Sequence, residues 1–279
     1  MSEMEKRRII PNHYISFPYM NACDLCCFDN DYWIWVENET EEGTLCVFPP
    51  LRKSPTELPP ISPEWDQHPI HQLDLPLVWS DFPNYPVFEL QEAELLDYEF
   101  YYVPGHFLDL EGKEWKKFRK NVNKWKDEPD LIYRTEMDYM NVIYSASELI
   151  EKWIEQQGEG LHDPSLIRKL SRPRPGDILS RTDRGHTYGI REYLFQGSEL
   201  IGINVFDYNY QNINYRFCIT DPDRRFLDEY MRYMFYIHRY AEWGNIPVND
   251  GGCLGREGLH WFKNTLNPAV IRPVHVWTE

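Results

Sequence analysis

Pro247-Val248-Asn249-Asp250-Gly251-Gly252-Cys253-Leu254-Gly255-Arg256-Glu257-Gly258-Leu259-His260-Trp261-Phe262-Lys263-Asn264-Thr265-Leu266-Asn267-Pro268 reads as a strand, a glycine turn and a helix in one run. The apolar residues end at Val248, and Asn249 to Gly252 are small, turn-forming residues that tolerate positive φ. Leu259, Phe262 and Leu266 then recur at helical spacing. That spacing predicts a short helix with those three inward, Lys263 able to point elsewhere and Pro268 as its stop. Turn N–H groups beside a helix N-terminus favour an anion or a developing oxyanion, so the layout has the outline of a site. It reads equally as a loop and a packing helix.

Upstream, residues 188–195, 199–206 and 213–219 are three apolar runs with tight connections, the pattern of an antiparallel meander. Residues 224–243 carry a long helical pattern with Phe226, Leu227, Tyr230, Met234 and Ile237 on one stripe. Residues 246–249 and 270–276 read as strands. Ser145-x-x-Glu148 is a capping box that predicts a helix from there to Gln157, and residues 131–137 and 164–170 read as a strand and a short helix. Residues 171–185, with Arg172, Arg174, Arg181 and Arg184, read as a mobile loop over the site or as a linker.

Toward the N-terminus, residues 16–27 read as helical, 31–36 and 44–48 as a hairpin, and 51–86 as a proline-rich, largely irregular excursion. Strands are expected at 85–90 and 98–103, with the acidic, helix-prone residues 91–97 between them. A mixed sheet with helices, in which a meander leads to a long helix and then a strand, places the chain in the α+β class.

The clearest basic feature is residues 113–126, which hold seven Lys/Arg (Lys113, Lys116, Lys117, Arg119, Lys120, Lys124, Lys126) and one Glu. Trp115, Phe118, Val122 and Trp125 recur at three- and four-residue steps, which predicts an amphipathic helix with a basic outer face. Such a face binds a phosphate-bearing partner or simply faces water.

Composition bounds the rest. At 279 residues the chain can bury a large core, and 42% hydrophobic residues with a mean hydropathy of −0.61 describe a globular protein. A net charge of −16 excludes a surface broadly adapted to nucleic acid, but not one basic patch. No apolar run is long enough to span a bilayer and the N-terminus is charged, so a cytoplasmic location is expected. Cys23-x-x-Cys26 has no second such pair to complete a metal site, and His68 and His71 flank a proline; no metal site is expected.

Two runs carry a resemblance. Asn249, Leu254-Gly255, Gly258-Leu259, Lys263 and Pro268, together with Leu110-Glu111-Gly112-Lys113-Glu114-Trp115-Lys116-Lys117-Phe118-Arg119-Lys120-Asn121-Val122-Asn123-Lys124-Trp125, resemble the catalytic domain of bacterial phosphatidylglycerol lysyltransferases. The resemblance implies a tandem GNAT-like fold, that of the acyl-CoA N-acyltransferases, with mixed sheets flanked by helices. Residues 1–95 would be a degenerate first half and 96–279 the half bearing the site. It implies an aminoacyltransferase drawing on aminoacyl-tRNA, with a small-molecule or lipid-headgroup acceptor and no resident cofactor. Lys263 would be the charge stabiliser, Asp250 the base, and Asn249 the group that orients a carbonyl. Arg119 would clamp phosphate, with Asn123, Lys116 and Lys120 beside it.

The chain departs from the family at Phe118, Lys120 and Asn121, and at Gly251 and Cys253, where the family tends to have acidic residues. Residues 218–225 would hold the pyrophosphate of an acyl-CoA, yet they contain no glycine and present Asp221 and Asp223. Two other readings stand beside the aminoacyltransferase: a soluble acyl-CoA-dependent N-acyltransferase on a small amine, and a catalytically inactive GNAT-like binding module.

Overall fold

The computed structural model describes residues 92–135, 139–157, 164–173, 190–209, 212–253 and 255–278, and short strands between 26 and 77. Those short strands are β1 (Cys26–Asp29), β2 (Trp33–Thr40), β3 (Gly43–Cys46), β4 (Leu51–Arg52) and β5 (Leu75–Leu77). β2 pairs antiparallel with β1, β3 and β4 in a small sheet. The expected hairpin is therefore present, but Cys26 and Cys27 lie in a strand rather than a helix. The expected strand at 85–90, the loop at 174–185, and Cys23, His68 and His71 fall outside the described residues.

The main sheet is built from β5, β6 (Glu92–Tyr102), β7 (Leu131–Arg134), β8 (Ile190–Gln196), β9 (Glu199–Asn209), β10 (Asn212–Thr220), β11 (Val248–Asn249) and β12 (Val270–Thr278). Its order is β5-β12-β6-β11-β10-β9-β8-β7, and β10 with β11 is the parallel pair within it. The mixed sheet expected from the meander, long helix and returning strand is thus formed. Residues 91–97 correct the sequence reading: from Glu92 they are strand, not helix, because β6 pairs with β12 along its length. A ladder of that extent outweighs the weak helical preference of Glu, Ala and Leu.

Helices cover both faces. α1 (Lys116–Lys126), α4 (Leu227–Trp243) and α5 (Glu257–Thr265) pack on one side, where Trp115, Phe118, Val122, Leu227, Met231, Phe235 and Leu266 join Phe100, Tyr102, Phe206, Ile213, Tyr215 and Val248 of the sheet. α2 (Tyr139–Gln157) and α3 (Pro164–Ser171) pack on the other, against Tyr193, Ile203, Val205 and Ile219. α2 starts six residues before the expected capping box at Ser145, since Val142 and Ala146 extend its apolar stripe backwards. The buried stripe of α4 is also rotated from the expected one and includes Arg232 and Arg239, both less than 9% exposed. No described helix is long and apolar enough to cross a membrane.

Candidate functional site

The parallel ladder of β10 and β11 is short, matching Ile213 with Val248 and Asn214 with Asn249. From Tyr215 onward no described strand lies on that edge of β10, because the chain leaves β11 for the turn at 250–253. Parting parallel strands leave a crevice at the centre of a sheet, and that is where ligands of open mixed sheets bind.

On the α4 side lies a buried ion cluster. Asp250, 5% exposed, pairs with Arg232 through Oδ2 and lies 3.6 Å from Lys263 Nζ through Oδ1. Lys263 is the most buried residue of α5, at 3% exposure. Its position follows from spacing: Leu259, Phe262, Lys263 and Leu266 are i, i+3, i+4 and i+7, so the lysine stands on the inward stripe. Of the directions open to it, Lys263 therefore takes the inward one. Its Nζ donates to the carbonyls of Asp250, Gly251 (3.2 Å) and Gly252 (2.8 Å), and Tyr102 OH donates to its own carbonyl at 2.7 Å.

Burial lowers the Lys263 pKa, and Asp250 works against that shift. Three carbonyl acceptors match the three N–H donors of an ammonium, whereas a neutral amine has only two. Gly251 takes φ 64°, and a Cβ on Gly252 would collide with the Asp97 carboxylate, so the two glycines are required by conformation and by space respectively. Asp97 Oδ2 in turn accepts from Cys253 N at 2.6 Å. Burial pushes the Cys253 thiol up to about 11, so this cysteine supplies no negative charge in place of an acid.

On the opposite face four strands contribute one polar row. Tyr101 of β6 is in register with Asn249 of β11, Asn249 with Asn214 of β10, and Asn214 with Asp207 of β9. Asn249 Nδ2 donates to Glu99 Oε2 and to Tyr101 OH, each at 3.0 Å, while its Oδ1 accepts from Gly251 N at 2.8 Å. Tyr101 OH donates to Glu99 Oε2 at 2.8 Å. Asn214 Nδ2 donates to Asp207 Oδ1 at 2.7 Å, and Arg216 Nε donates to Asp207 Oδ2 at 2.6 Å.

Arg216 is the extra residue of a β-bulge between Tyr215 and Phe217, a device that re-aims a side chain. All seven of Asp97, Glu99, Asn214, Asn249, Asp207, Tyr101 and Arg216 are less than 9% exposed. Burial first, then Glu99, raises the Tyr101 pKa, so its hydroxyl keeps its proton.

The structure therefore brings Asp250 and Lys263 together and sends Asn249 to the other face, with the turn at 250–252 linking the two. Glu99, Tyr101, Asp207, Asn214 and Arg216 were not singled out from the sequence. The signal for part of the row was present: Ile213 and Tyr215 alternate with Asn214 and Arg216, which marks a strand with one polar face.

The predicted phosphate clamp is placed differently. Arg119 is partly buried and its Nη1 donates to the Leu110 carbonyl, bracing a turn in which Leu110 itself has φ 49°. Arg119 and Lys263 share no partner among the described residues. Lys116, Lys120 and Asn123 are exposed on α1. Asn121, a departure from the family pattern, is buried and donates to Glu229 Oε1 at 3.0 Å. The segment after β10 is closed by its own ion pairs: Asp221 meets Lys152 at 2.6 Å and Arg224 at 3.0 Å, and Asp223 meets Lys152 at 2.8 Å.

No protein-family model and no curated protein matches the chain. Solved structures do. A conserved protein of unknown function from Bacteroides thetaiotaomicron aligns at TM-score 0.70 and 15% identity over 96% of this chain and 91% of that one. L-PGS from Bacillus licheniformis aligns at 0.65 and 12%, over 95% and 87%. The C-terminal domain of a putative lysylphosphatidylglycerol synthetase from Agrobacterium fabrum aligns at 0.63 and 11%, over 92% and 84%. The fold is α+β and GNAT-like, shared with these proteins.

Proposed function

We propose that this chain, which has the fold of the lysylphosphatidylglycerol synthetase C-terminal domain, is an acyl-transferring enzyme and uses an aminoacyl-tRNA as donor. The observation that carries the reading is the opening between β10 and β11, with a cation-braced turn on one side and a buried polar row on the other. Acyl transfer needs an activated ester held against an acceptor, a field that stabilises the tetrahedral oxyanion, and a group to take the acceptor's proton. Arg232 and Lys263 share the single carboxylate Asp250, so the cluster carries formal charge of about +1 in a dry setting, where charge acts strongly.

Lys263, Asp250 and Asn249 act here as positioning residues. Lys263 fixes the carbonyls of the turn, which aims its N–H groups, and Asp250 keeps both cations charged. Asn249 ties the turn to Glu99 and Tyr101. Asp250 already serves Arg232 and Lys263, and Asp207 is paired with Arg216, so we place the acceptor's proton on Glu99, which meets Tyr101 and Asn249 in the polar row. The exposed lysines of α1, among them Lys116 and Lys120, attract the phosphates of the donor. The tandem arrangement, with residues 1–95 as a degenerate first half, belongs to the same proposal.

The acyl-CoA alternative loses support at Asp221 and Asp223, whose carboxylates and ion pairs occupy the segment that would cradle a pyrophosphate. A catalytically inactive module keeps one supporting observation: Arg119 and Lys263 are both committed to backbone carbonyls. Equilibrium binding separates these readings. Charged tRNA is expected to bind and to compete with uncharged tRNA, while acetyl-CoA at millimolar concentration does not bind. Saturable CoA-thioester binding without tRNA binding would overturn the proposal.

A further inference from the structure

We infer that the outer face of α1 and the exposed ring of Trp261 on α5 form a platform for unpaired RNA bases. The inference rests on the aminoacyl-tRNA reading and adds the residues on which the RNA would stack. α1 turns Phe118, Val122 and Trp125 into the core and leaves Lys116, Lys117, Lys120, Lys124 and Lys126 outward. Three of those lysines lie over aromatic rings supplied by the neighbouring helices. Lys117 Nζ is 4.3 Å from the Trp261 ring centre, Lys124 Nζ 3.8 Å from Phe226 and Lys126 Nζ 4.4 Å from Tyr233. Lys117 and Lys124 are two helical turns apart, about 10 Å along α1.

Trp261 is 55% exposed, although its helix turns Lys263 inward. Phe226 has φ 66°, an uncommon conformation for a bulky residue, and Lys124 Nζ and the Arg225 guanidinium lie 3.8 and 5.7 Å from its ring centre. Aromatic faces interleaved with ammonium groups are what single-stranded nucleic acid requires, since every base offers a π-face and every nucleotide a phosphate. A duplex keeps its bases stacked on one another and would meet the lysines alone. A membrane surface fits less well, because an in-plane helix needs an apolar face to insert and that of α1 is spent on the core. The net charge of −16 repels a polyanion elsewhere and focuses it on this strip.

The test uses the full chain and a fluorescently labelled, uncharged single-stranded octaribonucleotide, read by anisotropy. Trp261→Ala is expected to weaken binding by about tenfold, and Trp261→Phe by less than about threefold, because phenylalanine keeps a π-face. The salt slope should be unchanged in both, since every lysine that meets a phosphate is kept. Circular dichroism checks that both variants fold. RNA affinity insensitive to Trp261→Ala overturns the platform, as does binding to phosphatidylglycerol vesicles that is lost in that variant while RNA affinity persists. The donor reading fails separately: RNA binding that depends on Trp261, without acyl transfer from charged tRNA, removes the donor and leaves the platform.

Discussion

Lys263 Nζ lies 3.6 Å from Asp250 Oδ1, inside the fold and 3% exposed, on the stripe of α5 where a leucine would pack. Asp250 is also the partner of Arg232. One carboxylate therefore serves two buried cations, and its loss costs more than the loss of either. Asp250→Asn is expected to destabilise the chain by about 3–5 kcal/mol, and Lys263→Met by about 2–3 kcal/mol, since the second leaves the Asp250–Arg232 pair intact. The double variant should cost less than the two added together. Urea unfolding of the four proteins measures this, and strict additivity would show that the two side chains do not interact.

The mixed sheet was legible because its elements are marked locally. The meander has tight turns, α4 has a long period, and Asn249 to Gly252 can only turn. The burial of Lys263 was less legible: a lysine is commonly a surface residue, whereas its i+4 relation to Leu259 sets it on the inward stripe. Residues 91–97 were read as helix because their partner, β12, lies about 180 residues further on and nothing local reports it. The polar row was the least legible part. Its members come from four strands, and only the register brings Tyr101, Asn249, Asn214 and Asp207 level.

Tyr101→Phe removes the hydroxyl that joins Glu99 to Asn249. The expected stability cost is about 1 kcal/mol, the net worth of a buried hydrogen bond plus one group left with fewer partners. If the row positions the reacting groups, kcat should fall by about tenfold or more with KM changed little. A KM effect alone would place Tyr101 in ground-state binding.

Glu229 is 7% exposed, accepts from Asn121 through Oε1, and leaves Oε2 without a hydrogen bond. Burial holds its carboxyl above the ordinary 4.5, while Asn121 acts in the other direction. A folded pKa above the unfolded one means that the folded chain binds the proton more tightly. Its contribution is thus full below the unfolded value and lost as pH rises through the folded one. Glu229→Gln keeps the acceptor for Asn121 and should flatten stability against pH from about 4.5 upward, which thermal melts across pH would record. An unchanged pH profile would show that Glu229 does not carry it.

Charge reversal at Lys116, Lys117 and Lys120 should weaken tRNA binding and flatten its dependence on salt, by about 0.7–0.9 in the log–log slope for each phosphate no longer neutralised. Binding isotherms at several salt concentrations give the slope. A slope equal to that of the unaltered protein would return the outer face of α1 to plain solvation.

The most direct measurement is a single-turnover reaction with the donor radiolabelled in its acyl group, using a pool of charged tRNAs in one vessel and acetyl-CoA in another. Each vessel holds a mixture of small amines and phosphatidylglycerol vesicles as acceptors. Aminoacyl transfer predicts protein-dependent loss of label from tRNA and its appearance on an acceptor, abolished in Asp250→Asn protein that is still folded, with acetyl-CoA untouched. Consumption of acetyl-CoA with the charged tRNAs intact, or no consumption of either donor, would contradict it.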